Sequence, residues 1–109
     1  MARLLGLDFG TGGVRVGVFD LDRRAVVAER EASYETRHPR PGWAEQSPLD
    51  WWEALGKATR GLLVDLGAPD IDGVCVATTA STVVACKRDG TPLRPALLWM
   101  DCRAAGLSV

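Results

Sequence analysis

The chain has 109 residues, and 13 Lys and Arg against 14 Asp and Glu leave a formal net charge of -1. With 47% hydrophobic residues and near-balanced charge it can bury a core, which excludes a disordered chain. The same balance argues against a nucleic-acid module, which concentrates Lys and Arg, and no apolar run approaches the ~20 residues a membrane span needs.

The start, Met1 to Asp8, reaches a carboxylate too soon for a signal-peptide core. Leu4 to Phe9 reads as a short buried strand, broken by Gly10-Thr11-Gly12-Gly13. Val14, Val16 and Val18 then alternate at period two, the mark of a half-buried strand through Phe19. Asp20 to Arg24 is a turn, and Ala25 to Glu31 makes a third strand. Links this short require an antiparallel meander, because parallel neighbours need a long crossover.

A Pro-rich loop from Thr36 to Gln46 leads into a helix with Ser47 as cap, Pro48 at the first helical position and Asp50 near its positive end. Trp52, Leu55, Thr59, Leu62 and Leu66 recur at three- and four-residue steps and predict the buried stripe. Gly67, followed by Pro69, ends the helix. Gly73 to Ala77 lacks alternation and reads as a strand covered on both faces. Thr82 to Cys86 reads as another, Arg88-Asp89-Gly90 as a hairpin turn, and Leu97 to Met100 as a last short strand. The order predicts an α/β layer with a mixed sheet and a helix on at least one face.

Cys75, Cys86 and Cys102 form an odd set without a C-x-x-C pair, and the only histidine, His38, lies far from all of them. Cys75 and Cys86 fall in apolar runs, where a thiol acts as a small hydrophobe. A reduced cytoplasmic protein without zinc is expected.

The segment richest in chemistry is Asp8-Phe9-Gly10-Thr11-Gly12-Gly13-Val14-Arg15. Its glycines let backbone N–H groups converge on an anion. Thr11 adds a hydroxyl, Arg15 a positive charge, and Asp8 an oxygen ligand suited to Mg²⁺ through water. A P-loop is excluded because no Lys follows the glycines, and a dinucleotide fingerprint because a strand, not a helix, comes next. Two readings stay open: a plain glycine turn, or a hairpin tip that touches phosphate.

Asp8-Phe9-Gly10-Thr11, with Arg15 and Phe19-Asp20, resembles the first phosphate motif of the FGGY carbohydrate kinases, within the actin-like, ribonuclease-H-like superfamily. The resemblance extends through Pro41-Gly42-Trp43-Ala44-Glu45-Gln46-Ser47-Pro48, then Trp51-Trp52, then Arg88 to Arg103. It implies a kinase of the ribulokinase or xylulokinase kind with an actin-like mixed sheet, residues 1–109 forming an incomplete N-terminal domain and the C-terminal domain absent. It also implies ATP and Mg²⁺ as cofactors, with Asp8 organising the metal and Gly10, Thr11, Gly12 and Arg15 facing the phosphates. A sugar, a pentulose or related polyol, would meet Thr79, Ala80, Ser81, Asp101 and Arg103. The 78–82 stretch lacks the Gln-Met pair usual in xylulokinase-like members.

Trp43, Trp51 and Trp52 read either as a sugar-stacking platform or as core, and the core is preferred because Trp52 falls on the buried stripe; Glu45 and Gln46 are assigned to a structural marker without catalysis. The resemblance puts the general base beyond Val109, so no residue here is assigned as catalytic, and the chain alone is expected not to turn over ATP. Its exposed strand edges are expected to favour self-association or a homodimer. The competing reading is a non-catalytic actin-like nucleotide-binding or scaffold fragment. Trp99-Met100-Asp101-Cys102-Arg103 speaks for the kinase, since a scaffold has no use for a sugar-side carboxylate and guanidinium.

Overall fold

A computed structural model describes residues 2–107. Strand β1 (Arg3–Phe9) pairs antiparallel with β2 (Gly13–Asp20), which pairs antiparallel with β3 (Ala25–Ser33). The meander therefore forms as the sequence predicts. The β2–β3 turn is stapled by buried Asp20, whose carboxylate accepts the N–H groups of Asp22 and Arg23. At the other end of β2 the sheet requires glycine: a Cβ on Gly13 would lie 2.6 Å from the Ala32 carbonyl oxygen.

After β4 (Glu45–Gln46), helix α1 (Pro48–Asp65) crosses the sheet and returns the chain as β5 (Gly73–Thr78), parallel to β1. The resulting four-stranded order is β3-β2-β1-β5. Period two sends Leu5, Leu7 and Phe9 of β1, with Val14, Val16 and Val18 of β2, to the helix face. There they meet Ala54, Ala58 and Leu62, and the two alanines bring the helix backbone close to the sheet. Each fully buried Val or Leu contributes about 1.5–3 kcal/mol, so this layer is the principal source of stability.

The buried face of α1 differs from the predicted one. Leu55, Leu62 and Leu66 pack on the core as expected, but Trp52 is 75% exposed, and Trp51, Ala54 and Ala58 carry the remaining contacts. The real stripe is rotated by about one residue, toward the alanines. Ser47 occupies the cap, but its side chain makes no capping bond; its carbonyl accepts the Asp50 N–H at 3.0 Å. The far end closes as a Schellman motif about Gly67 (φ 71°), with Ala68 N–H to Leu63 O and Gly67 N–H to Val64 O.

Strand β5 is not covered on both faces: it is the sheet edge among the described residues, and Val74 and Val76 are exposed. The same position exposes Cys75, and Cys86 and Cys102 are exposed as well, so none acts as a core hydrophobe. The strand expected over Thr82–Cys86 reduces to single bridges, Val83 to Leu97 and Cys86 to Pro92. The last strand shortens to β6 (Ala96–Leu97), which pairs antiparallel with β4. The Asp89-Gly90 turn forms, with Gly90 at φ 90°. No helix among the described residues is long and apolar enough to cross a membrane.

The radius of gyration is 16.7 Å, against about 13 Å for a compact chain of this length. The excess is elongation along one axis, with extents of 53 × 27 × 23 Å. The β4–β6 patch lies next to the 10–12 turn, where Gln46 of β4 bonds the Thr11 carbonyl.

Candidate functional site

The turn Gly10-Thr11-Gly12 joins β1 to β2, and side chains leave β1 alternately to the two faces of the sheet. Phe9 therefore lies on the helix side and Asp8 on the other, directly opposite Arg15 in the strand register. Gly10 borders both sides, so the turn forms a partition between two clefts.

The cleft on the helix side has a volume of about 250 Å³. Trp51, Leu98 and Trp99 supply apolar walls; Thr11, Thr79 and Thr82 supply hydroxyls. Two side chains pin Thr11 from opposite directions. Gln46, 2% exposed, donates its amide to the Thr11 carbonyl at 2.6 Å and to the Thr36 hydroxyl at 2.8 Å, and accepts from the Trp51 indole N–H at 2.9 Å. Trp99 donates its indole N–H to the Thr11 hydroxyl at 3.2 Å. That hydroxyl keeps its own proton free to donate.

The second cleft, about 240 Å³, is lined by Asp8, Gly10, Gly12, Gly13, Arg15 and Ser33 among others. Asp8 makes no ion pair or side-chain hydrogen bond among the described residues. Arg15 instead lies across β3, 3.5 Å from Glu29 and 3.9 Å from Glu31. Tyr34 sits behind the turn with its hydroxyl against the Gly10 and Gly13 carbonyls. Burial, and then the charge of Asp8, push its phenol pKa up.

The residues expected to face phosphate thus gather around one turn. The sugar-side residues do not gather in one cavity. Thr79 lines the first cleft with its hydroxyl 3.3 Å from that of Thr82; Ala80 and Ser81 are exposed on the same loop outside the lining, with Ser81 at φ 62°. Asp101 and Arg103 lie outside it too and bond each other. Arg103 donates through Nε and Nη2 to Asp101, and through Nη2 to Glu45 at 2.7 Å. Arg94 reaches the same Glu45 oxygen at 2.8 Å, and the Arg103 guanidinium stacks 3.7 Å from the Trp43 ring centroid. The Arg103 bonds hold the Asp101 carboxyl well below the usual carboxylate range, helped by the Ala44 N–H at 2.7 Å. This cluster braces the segment that carries Trp99: Leu98 N–H bonds Ala44 O, and Asp101 N–H bonds Leu98 O.

Trp99 and Tyr34 are lining residues that sequence reasoning did not single out, and Trp51 and Gln46, expected in the core and as a structural marker, line the first cleft as well. Trp99 lies inside the Trp-x-Asp-x-Arg element and Gln46 inside the Pro41–Pro48 element, so motif membership is the available signal. Tyr34 sits in no motif. Only the return of β3 to the turn reveals it.

The chain is similar in sequence and fold to known proteins. Residues 3–108 match the N-terminal domain of the FGGY family of carbohydrate kinases. The glycerol kinase of Aquifex aeolicus is 33% identical over 94% of this chain and 21% of its own length. The xylulose kinase of Staphylococcus xylosus is 31% identical over 96% of this chain and 22% of its own. Among solved structures, a xyloylose kinase from Brucella ovis superposes with a TM-score of 0.89 at 30% identity, covering 96% of this chain and 23% of that one. A glycerol kinase from Plasmodium falciparum, solved with ADP, gives 0.87 at 25% identity over 98% and 22%. The chain spans about a fifth of the length of these relatives. It has their mixed actin-like α/β fold, and it belongs to the FGGY family of carbohydrate kinases.

Proposed function

We propose that this chain supplies the phosphate turn and the sugar-side wall of an ATP-dependent carbohydrate kinase whose acceptor is a pentulose or related polyol. The observation that carries this reading is the partition itself. One short turn separates a cleft lined by Glu31, by backbone N–H groups and by Asp8, whose carboxylate has no partner among the described residues, from a cleft bearing aromatic faces and hydroxyls. Phosphoryl transfer depends chiefly on positioning two reactants and neutralising charge, and such a partition brings both reactants within reach of one another.

On the phosphate side, Gly10, Thr11 and Gly12 offer donors to the phosphates. Arg15 can join them by leaving Glu29 and Glu31, which are exposed partners and hold it weakly. Asp8 is the residue to hold Mg²⁺. The cleft carries two carboxylates, Asp8 and Glu31, and Glu31 already faces Arg15 at 3.9 Å; Asp8, without a side-chain partner among the described residues, fits an ion that takes its other ligands from phosphate and water. When bound, the ion would neutralise phosphate charge. On the sugar side, Trp99 and Trp51 offer flat apolar faces, and Thr79 and Thr82 offer hydroxyls, with Ala80 and Ser81 on the same loop. Asp101 and Arg103 serve the sugar from behind, by fixing the segment that presents Trp99. No carboxylate of the described residues lines the first cleft. The proton acceptor for the attacking hydroxyl is therefore assigned to none of the described residues.

The test is ADP release from Mg-ATP, measured with glycerol, xylulose and ribulose. It uses the chain alone and the chain spliced in place of the matching segment of the Staphylococcus xylosus xylulose kinase. The expected result is no turnover by the chain alone, turnover of a ketopentose by the chimera, and a loss of about a hundred-fold or more in kcat on Asp8→Asn. A chimera that folds and binds Mg-ATP yet phosphorylates none of the three would refute the reading and favour a non-catalytic nucleotide-binding fragment.

A further inference from the structure

We propose that Tyr34 and Gln46 are positioning residues that aim the N–H groups of the 10–13 turn at phosphate by holding its carbonyl groups against the protein. The proposal rests on the phosphate reading of that turn. All four of its carbonyls are engaged from the inner side. The Tyr34 hydroxyl shares its proton between Gly10 O and Gly13 O, Gln46 donates to Thr11 O, and the Tyr34 N–H donates to Gly12 O at 3.2 Å. Gly10 N–H closes the turn onto Gly13 O at 2.9 Å.

In a trans peptide the C=O of one residue and the N–H of the next belong to one rigid plane and point in opposite directions. Fixing Gly10 O inward therefore turns the Thr11 N–H outward, and fixing Thr11 O inward turns the Gly12 N–H outward. Neither of these N–H groups has an acceptor among the described residues. A turn with this many glycines has wide conformational freedom, and unrestrained peptide planes could flip to present carbonyl oxygens, which repel phosphate. Tyr34 and Gln46 remove that option. Their own placement is fixed from elsewhere: Tyr34 is 9% exposed and packs against Trp51, and Trp51 in turn bonds Gln46.

The probe is inorganic pyrophosphate with Mg²⁺, which carries no adenosine and so reports on the turn. Backbone amide NMR of the full chain should show the Thr11 and Gly12 resonances shifting in a saturable way. Tyr34→Phe keeps the ring and removes the hydroxyl; it should raise the apparent Kd about ten-fold, the effect of one hydrogen bond, with the rest of the spectrum native. A purely structural role would lower Tm without moving the Kd of the folded protein. Equal affinity in wild type and Tyr34→Phe would overturn the proposal and leave the phosphate reading standing, whereas a wild type whose Thr11 and Gly12 amides ignore the probe would remove both. If Tyr34→Phe does not fold, fluorotyrosine in the wild-type chain labels this position alone, since Tyr34 is the only tyrosine. A ¹⁹F signal that moves with the same midpoint as the Thr11 amide supports the proposal, and one that stays still overturns it.

Discussion

The Glu45 carboxylate and the Arg103 guanidinium, 58 residues apart in sequence, meet at 2.7 Å. Arg103 also grips Asp101 and lies on the Trp43 ring, so one side chain ties the loop before α1 to the last segment of the chain. Lysine cannot reproduce this: its ammonium is a point charge without the planar fork or the stacking face. Arg103→Lys should therefore lower Tm almost as far as Arg103→Ala. Both should exceed Arg37→Ala, which breaks only the exposed pair with Glu35 and should be close to neutral. Thermal unfolding of the three variants checks the order.

The same cluster sets a response to acid. Asp101 has its pKa lowered from 3.8, first by the Arg103 hydrogen bonds, and Asp20 has its own lowered, first by the Arg23 N–H. A carboxyl depressed in the folded state adds stability above its unfolded pKa and loses it as pH falls toward its folded value. Stability should be flat above about pH 5 and decline below about pH 4. Asp101→Asn should start lower at neutral pH and fall less steeply between about pH 4 and pH 2. Urea midpoints across that range measure both effects; an unchanged slope in Asp101→Asn would show that Asp101 does not bind its proton at a lower pH in the folded chain.

The meander was legible because its information is local. Val14, Val16 and Val18 state a face by alternation, and the links on either side are too short for anything but hairpins. Asp8, Gly10 and Thr11 were legible as a motif for the same reason. What escaped depends on distant neighbours. Whether Gly73 to Thr78 lies inside or at the edge of a sheet is decided by what pairs with its far side, and that is not written in its own residues. Asp101 and Arg103 read as sugar-side groups because their partners, Glu45, Ala44 and Trp43, lie more than 55 positions away. Tyr34 reached the turn only through the register of β3.

The helix makes this concrete. Leu55, Leu62 and Leu66 fit the expected stripe as well as the observed one, so periodicity alone allowed a rotation that favours Trp52 over Trp51. The alanines decided the matter, because they let the helix sit close to the valines of β2. Trp52→Ala should change stability by no more than about 0.5 kcal/mol, as expected of an exposed side chain. Trp51→Ala should cost about 3 kcal/mol, because it empties partly buried space beside Tyr34 and leaves the Gln46 carbonyl oxygen without its donor. Chemical denaturation of the pair tests the rotation directly, and equal losses would restore the original stripe.

Adjacent glycines separate fold from function. A Cβ on Gly13 would lie 2.6 Å from Ala32 O and 3.0 Å from the Ser33 Cα, both backbone atoms that cannot swing aside. Gly13→Ala must therefore push β3 away from β2, and a loss of about 2 kcal/mol is expected. A Cβ on Gly12 would meet nothing within 4 Å, and Gly12 is not at positive φ. Gly12→Ala should hold Tm within about 2–4 °C of wild type, the shift that about 0.5 kcal/mol gives in a domain of this size. Yet Gly12 borders the cleft beside Asp8, so the added methyl lies where a phosphate would approach the turn. Gly12→Ala should thus weaken pyrophosphate binding several-fold while the fold survives, and Gly13→Ala should damage the fold first. A Gly12→Ala protein that is native in stability and unchanged in pyrophosphate affinity would mean that phosphate, if it binds, does not approach from the Gly12 side.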